Sequence, residues 1–406
     1  MSAILMVFSA LPSWIVVPTL LFQSGMDFAG SYAACLGLSA AGTLLFGKLM
    51  KCPVIVAPSI AMVTWLVYGE IVSKGNSWQM VLGAVCIASV LGLVGVLSPL
   101  GRYLSLSIPK VLRNAFPAGL GLVLVFQGLL QGKVFVGAPF TCIMLGSFSS
   151  PLMYLTLLGV LVILILALNK VFLSFVVGLL SIAMISFLQG FWVIPAAPFM
   201  LPEGLDKIVF QLDFEQAVMH PELILTIFLI MFSEGQGILR ALFCDAHPKM
   251  WRKQLAVLFG VNVASSFWGS VSLRPAPETF VGRLSATSTN RAAYVAAIVM
   301  VLLIFCEPVV KEITSFGAIT APVLICSGLF VLCHCKDLFH GDLSDRLTVL
   351  CFLLFLPFSH DFVVGLGAAI IVHVVLKCFS GQRACVSFCE MILAGIYGLF
   401  FFSQGL

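Results

Sequence analysis

The sequence predicts an all-α polytopic membrane protein, and three observations carry that prediction. Of its 406 residues 61% are hydrophobic and 9% charged, against roughly a quarter charged in soluble proteins. Apolar runs follow one another along nearly the whole chain. At about 1.5 Å per residue, a run of ~20 residues crosses a hydrocarbon core of ~30 Å. Finally, two proline-broken segments occupy corresponding places in the two halves, the sequence signature of an inverted-repeat membrane fold. The rest of the chain is too short for a sizeable soluble domain, so its work is done within the bilayer.

The runs fall at 1–22, 28–47, 53–72, 78–97, 110–130, 151–169, 171–191, 221–243, 254–272, 276–289, 292–310, 317–334, 346–358 and 362–379. The first has neither a charged leader nor a small-residue cleavage site and reads as a span, not a signal peptide. With a cytoplasmic N-terminus, all but five of the 21 Lys and Arg lie in inner loops; Lys74, Lys133, Lys207, Arg274 and Lys311 are the exceptions. The acidic loop with Glu203, Asp206, Asp213, Glu215 and Glu222 then falls outside. Positive charge inside therefore favours about 14 transmembrane segments. The apolar tail at 386–402 reads as one further crossing or as an interfacial helix.

The third and tenth segments are unlike ordinary spanning helices. In the third, Pro53-Val-Ile-Val-Ala57-Pro58-Ser59 sets β-branched residues between two prolines. Proline removes a donor and keeps its predecessor extended, so a short extended break and then a half-helix from about Ser59 are expected. In the tenth, Ser272-Leu-Arg274-Pro275-Ala-Pro277-Glu278-Thr279 repeats the plan seven spans later. Seven is odd, so the second copy enters the membrane the other way up. Broken backbone at that depth must be buried in protein or line a cavity.

Glu234 lies about halfway along the apolar run from Leu223 to Phe243. A carboxylate at mid-bilayer costs at least ~2.5 kcal/mol on insertion scales, so it should face a protein-lined cavity and carry a proton or meet a polar ligand. Gly235 and Gly237 beside it are expected to leave room for that approach. The plainer reading is a pair within the bundle. Glu278 opens the second half-helix, where the macrodipole favours an anion or acceptor, or else it is a simple cap. Arg274 either neutralises Glu278 or meets an anionic substrate, and both readings stay open. Gln127, Gln189 and His373 are weaker signals, more readily satisfied by neighbouring helices, and His360-Asp361 sits in an outer turn.

Other chemistries find little support. Most of the 13 cysteines lie in apolar runs, where they act as small hydrophobes. Cys333-His334-Cys335 lacks the second ligand pair of a zinc module, so no metal and no cofactor are expected. There is no Glu-x-x-His or Gly-x-Ser-x-Gly at catalytic spacing, which argues against an enzyme. The net charge of +4 carries no basic, aromatic-interleaved surface for nucleic acid.

With these features placed, the chain resembles the nucleobase/ascorbate transporter superfamily, in particular the AzgA-like adenine/guanine/hypoxanthine permeases related to xanthine and uracil permeases. The likeness runs from the first span to about Gly381. It is carried by Val17-Pro18 through Gly25-Met26-Asp27, Cys52-Pro53 through Ala57-Pro58, Ser77-Trp78 through Gly83-Ala84, and Ile108-Pro109-Lys110 with Ala118-Gly119-Leu-Gly121. Phe232-Ser-Glu234-Gly-Gln236-Gly237, Pro277-Glu278-Thr279-Phe-Val-Gly282 and Leu356-Pro357-Phe358-Ser359 complete it. The chain departs from the purine branch at Val17, at Ser59-Ile-Ala-Met-Val63, at Glu234-Gly235 in place of Asp-Thr, and at Arg274.

The resemblance implies 14 segments in two inverted seven-segment repeats. Residues 1–97 and 221–312 would form a core domain, and 98–191 and 313–381 a gate domain, with an outer loop at 192–220 and a tail at 382–406. It implies a secondary active permease for nucleobases, purines above all, working by alternating access with a proton or Na+ as coupling ion. Glu234, Glu278, Ala57, Pro58, Ser59 and Thr279 would bind the base. Glu234 would carry the proton, with Arg274 and Gln236 as modulators. A multi-pass protein of the bacterial inner membrane, without nucleic-acid partners, is expected. A homodimer, common in related folds, stays open. The alternative on the same fold is an anion transporter of the sulfate/dicarboxylate type, against which the two carboxylates argue.

Overall fold

The computed structural model describes residues 2–51, 53–99, 101, 108–138, 142–171, 173–242, 248–279, 291–314, 316–335, 338–339, 341–359, 362–381 and 386–405. Among these, six helices are long and apolar enough to cross a membrane: Ala3–Gln23, Phe28–Met50, Trp78–Leu97, Lys110–Gln131, Pro151–Leu168 and Pro221–Leu239. Shorter apolar helices add to them. Contacts gather the chain into two compact units, Met1–Ile60 with Gly121–Val209 and Glu278–Leu332, and Ala61–Leu120 with Phe210–Pro277 and Cys333–Leu406.

The first unit begins with α1 (Ser2–Gln23) and α2 (Phe28–Met50). Asp27 caps α2 by accepting from the Gly30 N–H at 3.0 Å, satisfying one of the donors that a helix start leaves open. Trp14 Nε1 donates to Ser39 Oγ at 2.9 Å and ties the two helices together. The proline-flanked stretch that follows is extended as expected, with β1 at Val56–Pro58.

The C-terminal part of α5 (Lys110–Gln131) belongs to this unit and leads into an antiparallel hairpin, β2 (Phe135–Ala138) with β3 (Cys142–Leu145). Helices α6 (Pro151–Leu168) and α7 (Ser174–Leu188) follow, then α11 (Arg291–Ile304), α12 (Glu307–Thr314) and α13 (Ala321–Cys333). Helices α5 and α13 cross with backbones nearly touching. A Cβ on Gly121 would lie 2.9 Å from the Gly328 carbonyl oxygen, and one on Gly328 only 2.4 Å from that of Gly121. Small residues permit this approach, which drives helix association in lipid through packing.

The run at 292–310 departs from the expected single span, since α11 and α12 meet at an 80° bend. The two halves differ in charge. Glu307, Lys311 and Glu312 make α12 amphipathic, and a helix with that face is disfavoured in hydrocarbon.

The second unit begins within α3 (Ile60–Thr64), at Ala61, and this helix widens into a π-helix over Trp65–Val72, where the Ser73 N–H reaches the Tyr68 carbonyl at 3.1 Å. π-Helical turns are rare and recur at functional sites. Helix α4 (Trp78–Leu97) coincides with the expected fourth span and is capped by Ser77, whose Oγ accepts from the Met80 N–H. The short α8 (Phe214–Val218) precedes α9 (Pro221–Leu242), α10 (Pro248–Phe267) and the extended β4 (Leu273–Pro275).

Gly92 of α4 admits the Phe259 ring of α10. Arg252 of α10 donates to the Val96, Leu97 and Ser98 carbonyls, covering acceptors at the negative end of α4. Helices α14 (Leu343–Ser359), α15 (Phe362–Phe379) and α16 (Phe388–Gly405) complete the unit. Lys377 joins α15 to Asp345 of α14 at 3.0 Å.

Candidate functional site

The residues expected to bind substrate fall in both units. Glu234, Gln236 and Arg274 belong to the second, and Ala57, Pro58, Ser59, Glu278 and Thr279 to the first. All eight are buried.

In the second unit Glu234 sits midway along α9 at 2% exposure, beside fully buried Ser233 and Gln236. About one turn of helix thus hides polar side chains inside a segment that is otherwise apolar. The Ser233 hydroxyl donates to the Leu229 carbonyl at 2.5 Å, and the Tyr397 hydroxyl of α16 lies 2.8 Å from Ser233 Oγ. The flanking glycines do something other than expected. A Cβ on Gly235 would fall 2.6 Å from Leu258 of α10, and one on Gly237 would fall 2.4 Å from the Phe116 ring of α5. The space they leave is filled by neighbouring side chains, so their role is close helix packing and not an opening to a ligand.

The extended β4 is held by Asn262 of α10, a residue the sequence reading passed over. Asn262 Oδ1 accepts from the Leu273 N–H at 2.6 Å, and its Nδ2 donates to the Leu273 carbonyl at 2.8 Å. One side chain thereby supplies both backbone bonds that a break removes from a helix. An Asn inside an apolar run was the available signal. Arg274 follows at 9% exposure, with Nε and Nη1 lacking a hydrogen-bond partner among the described residues.

In the first unit the N–H groups freed by the extended break are likewise met by side chains. Val56 N–H donates to Thr43 Oγ1 at 3.0 Å and Ile55 N–H to Thr279 Oγ1 at 3.2 Å. Thr279 therefore brings the tenth segment to the third. The Glu278 side chain is fully buried, and its carbonyl lies 3.5 Å from Ser9 Oγ. Residues 280–290, where the second half-helix and Gly282 were expected, lie outside the described residues. So do His360 and Asp361.

Glu70, in the π-helix, is a further buried carboxylate that the sequence reading missed, and it pairs with Lys74 at 2.8 Å. A cavity of about 310 Å³ in the first unit is lined by Thr19, Gln131, Lys133, Thr314 and Thr320 among others, and by none of the expected site residues. No group of three or more His, Cys, Asp or Glu suited to a metal occurs among the described residues.

No family model matches the chain. It is 27% identical to a putative permease of Methanocaldococcus jannaschii, over 95% of this chain and 90% of that one. It is 24% identical to the guanine/hypoxanthine permease PbuO of Bacillus subtilis, over 91% of this chain and 88% of the relative. The adenine permease AdeP of Escherichia coli is 23% identical, over 94% and 87%. Among solved structures, the transmembrane domain of a cyanobacterial bicarbonate transporter, BicA, matches with a TM-score of 0.57 at 16% identity, covering 89% of this chain and 96% of its own. The murine anion transporter Slc26a9, in its inward-facing state, gives 0.56 at 12% identity, over 93% and 68%. The fold is that of a multi-pass membrane transporter, and the resemblance to nucleobase permeases extends over nearly the full length.

Proposed function

We infer that this chain is a nucleobase permease, with purines as its substrates. The observation that carries the reading is the full-length similarity to relatives named as guanine/hypoxanthine and adenine permeases. The buried carboxylate on α9 supplies the chemistry: Glu234 stands at 2% exposure in a membrane-spanning helix, a position where an ionisable group marks a substrate or proton path.

A purine presents N–H donors and ring-nitrogen acceptors along its edge. Glu234 and Glu278 accept from the donors, backbone groups around Ala57, Pro58 and Ser59 meet the remaining edge, and the Thr279 hydroxyl adds a donor. Such a site rejects an analogue that leaves its polar groups unpaired. Glu234 loads a proton with the base and releases it on the other side, so uptake follows the proton gradient. Residues 1–97 and 221–312 act as a core and 98–191 and 313–381 as a gate, in two inverted seven-segment repeats. The base shifts the equilibrium between inward and outward forms only through its different affinity for the two. The protein lies in a bacterial inner membrane with its N-terminus in the cytoplasm and works as a transporter, not an enzyme.

One observation favours a second reading. Arg274 buries a guanidinium with two nitrogens unbonded among the described residues, and buried donors of this kind call for an acceptor. An anion of the sulfate/dicarboxylate type would meet that need.

The test is uptake of radiolabelled adenine, guanine, hypoxanthine, xanthine and uracil by cells lacking their own permeases, at acidic and neutral outside pH. Saturable uptake of one base that rises in acid, and that Glu234→Gln abolishes, is expected. A well-expressed protein that takes up no base, but takes up sulfate or a dicarboxylate in an Arg274-dependent way, would replace the first reading by the second.

A further inference from the structure

The apolar tail beyond the last assigned span forms α16, and its Tyr397 and the Ser233 of α9 are both fully buried with their hydroxyls 2.8 Å apart. They are 164 residues apart in the chain. We propose that Tyr397 is a positioning residue for the α9 site, and that the C-terminal helix is a working part of the transport machinery. The proposal rests on the nucleobase-permease reading.

The hydrogen-bond directions follow from the donors available. The Ser233 hydrogen is committed to the Leu229 carbonyl, so its oxygen is left to accept and the tyrosine donates. This arrangement holds α9 at the residue preceding Glu234. Successive helix residues are turned by about 100°, so the phenol grips one face of α9 while Glu234 is presented on another. Fixing Ser233 fixes both the rotation of the helix and its height. Any shift of α9 against α16 must break this bond.

The tyrosine ring is seated as firmly as its hydroxyl. A Cβ on Gly367 of α15 would lie 2.7 Å from Tyr397 Cδ1, so the glycine forms the recess that receives the ring. Phenylalanine would fill that recess equally well, and α16 uses phenylalanine at positions 388, 400, 401 and 402. A phenol in such surroundings brings a desolvation cost that only a partner offsets. The hydroxyl of Tyr397 finds such a partner on α9.

The experiment compares wild type, Tyr397→Phe, Ser233→Ala and the double variant in the full chain. Each single variant removes the bond from one side and keeps the packing, so if one fails to fold the other still reports. Loss of a buried neutral hydrogen bond predicts about a threefold to tenfold rise in KM for the base, a displaced pH profile of uptake, and expression near wild type. The effects should not multiply in the double variant, which should cost no more than Ser233→Ala, because all three lack the same bond and Ser233→Ala alone also strips the phenol of this partner. Wild-type KM and pH profile in both single variants, or effects that multiply in the double, would overturn the proposal.

A second measurement does not depend on substrate. In purified protein, backbone amides of residues 230–237 should exchange faster with deuterium in Tyr397→Phe than in wild type. If wild type takes up no base, the permease reading fails by itself and exchange decides the positioning role. Unchanged exchange would refute it.

Discussion

Replacing Asn262 with alanine tests how the break in the tenth segment is held. Asn262 is 1% exposed and Leu273 is also 1% exposed, so neither can turn to water. The substitution deletes the bond to the Leu273 N–H at 2.6 Å and that from the side-chain amide to the Leu273 carbonyl at 2.8 Å. Each orphaned backbone group in a buried setting costs about 1–3 kcal/mol. Two together give about 2–6 kcal/mol, a large share of the ~5–15 kcal/mol by which folded domains are stable. Ser265→Ala is the matched control. It removes one hydroxyl bond to the Asn262 carbonyl on the same helix and leaves the clamp intact, at about 0.5–1.5 kcal/mol. Unfolding in mixed micelles of increasing SDS content gives both free energies. Asn262→Ala should lose several times as much as Ser265→Ala and should lose uptake where protein survives. Equal stability of the two variants would refute the clamp.

Two further perturbations follow from the packing. Gly237→Ala places a methyl 2.4 Å from the Phe116 ring, and overpacking of this kind costs about 1–3 kcal/mol. Lower thermal stability is expected, with partial recovery in the double variant Gly237→Ala with Phe116→Leu; a stable single variant would show that α5 and α9 can part there. Lys377→Met leaves Asp345, at 14% side-chain exposure, without the ammonium at 3.0 Å. Breaking a buried pair from one side costs about 3–5 kcal/mol, and Asp345→Asn in the same chain should return part of it, as read by the same SDS titration.

How much was readable in advance varied with the range of the forces involved. The breaks at Pro53 to Pro58 and Pro275 to Pro277 were legible because proline acts on its own φ, its missing N–H and its immediate predecessor. The groups that satisfy those breaks were not, since Thr43, Thr279 and Asn262 reach their backbone partners through tertiary contact. Gly235 and Gly237 marked a close approach correctly but not its cause, because a missing Cβ looks the same in sequence whether a ligand or Phe116 stands opposite it. The bend before α12 had a local signal in Glu307, Lys311 and Glu312, overshadowed by the apolar run before it.

From the sequence alone came the membrane class, the order of the apolar segments, the two extended breaks and the isolated carboxylates, because hydropathy and proline stereochemistry act within a few residues of chain. Only the tertiary structure decided that Glu234 and Gln236 are hidden together on one helix, that a π-helix follows the first break and that Glu70 is paired. It also decided that the C-terminal helix delivers a tyrosine to the middle of α9. That last contact joins residues 164 positions apart, and no local preference of either one selects the other. Burial does, by leaving each hydroxyl a partner in the packed interior, shielded from bulk solvent.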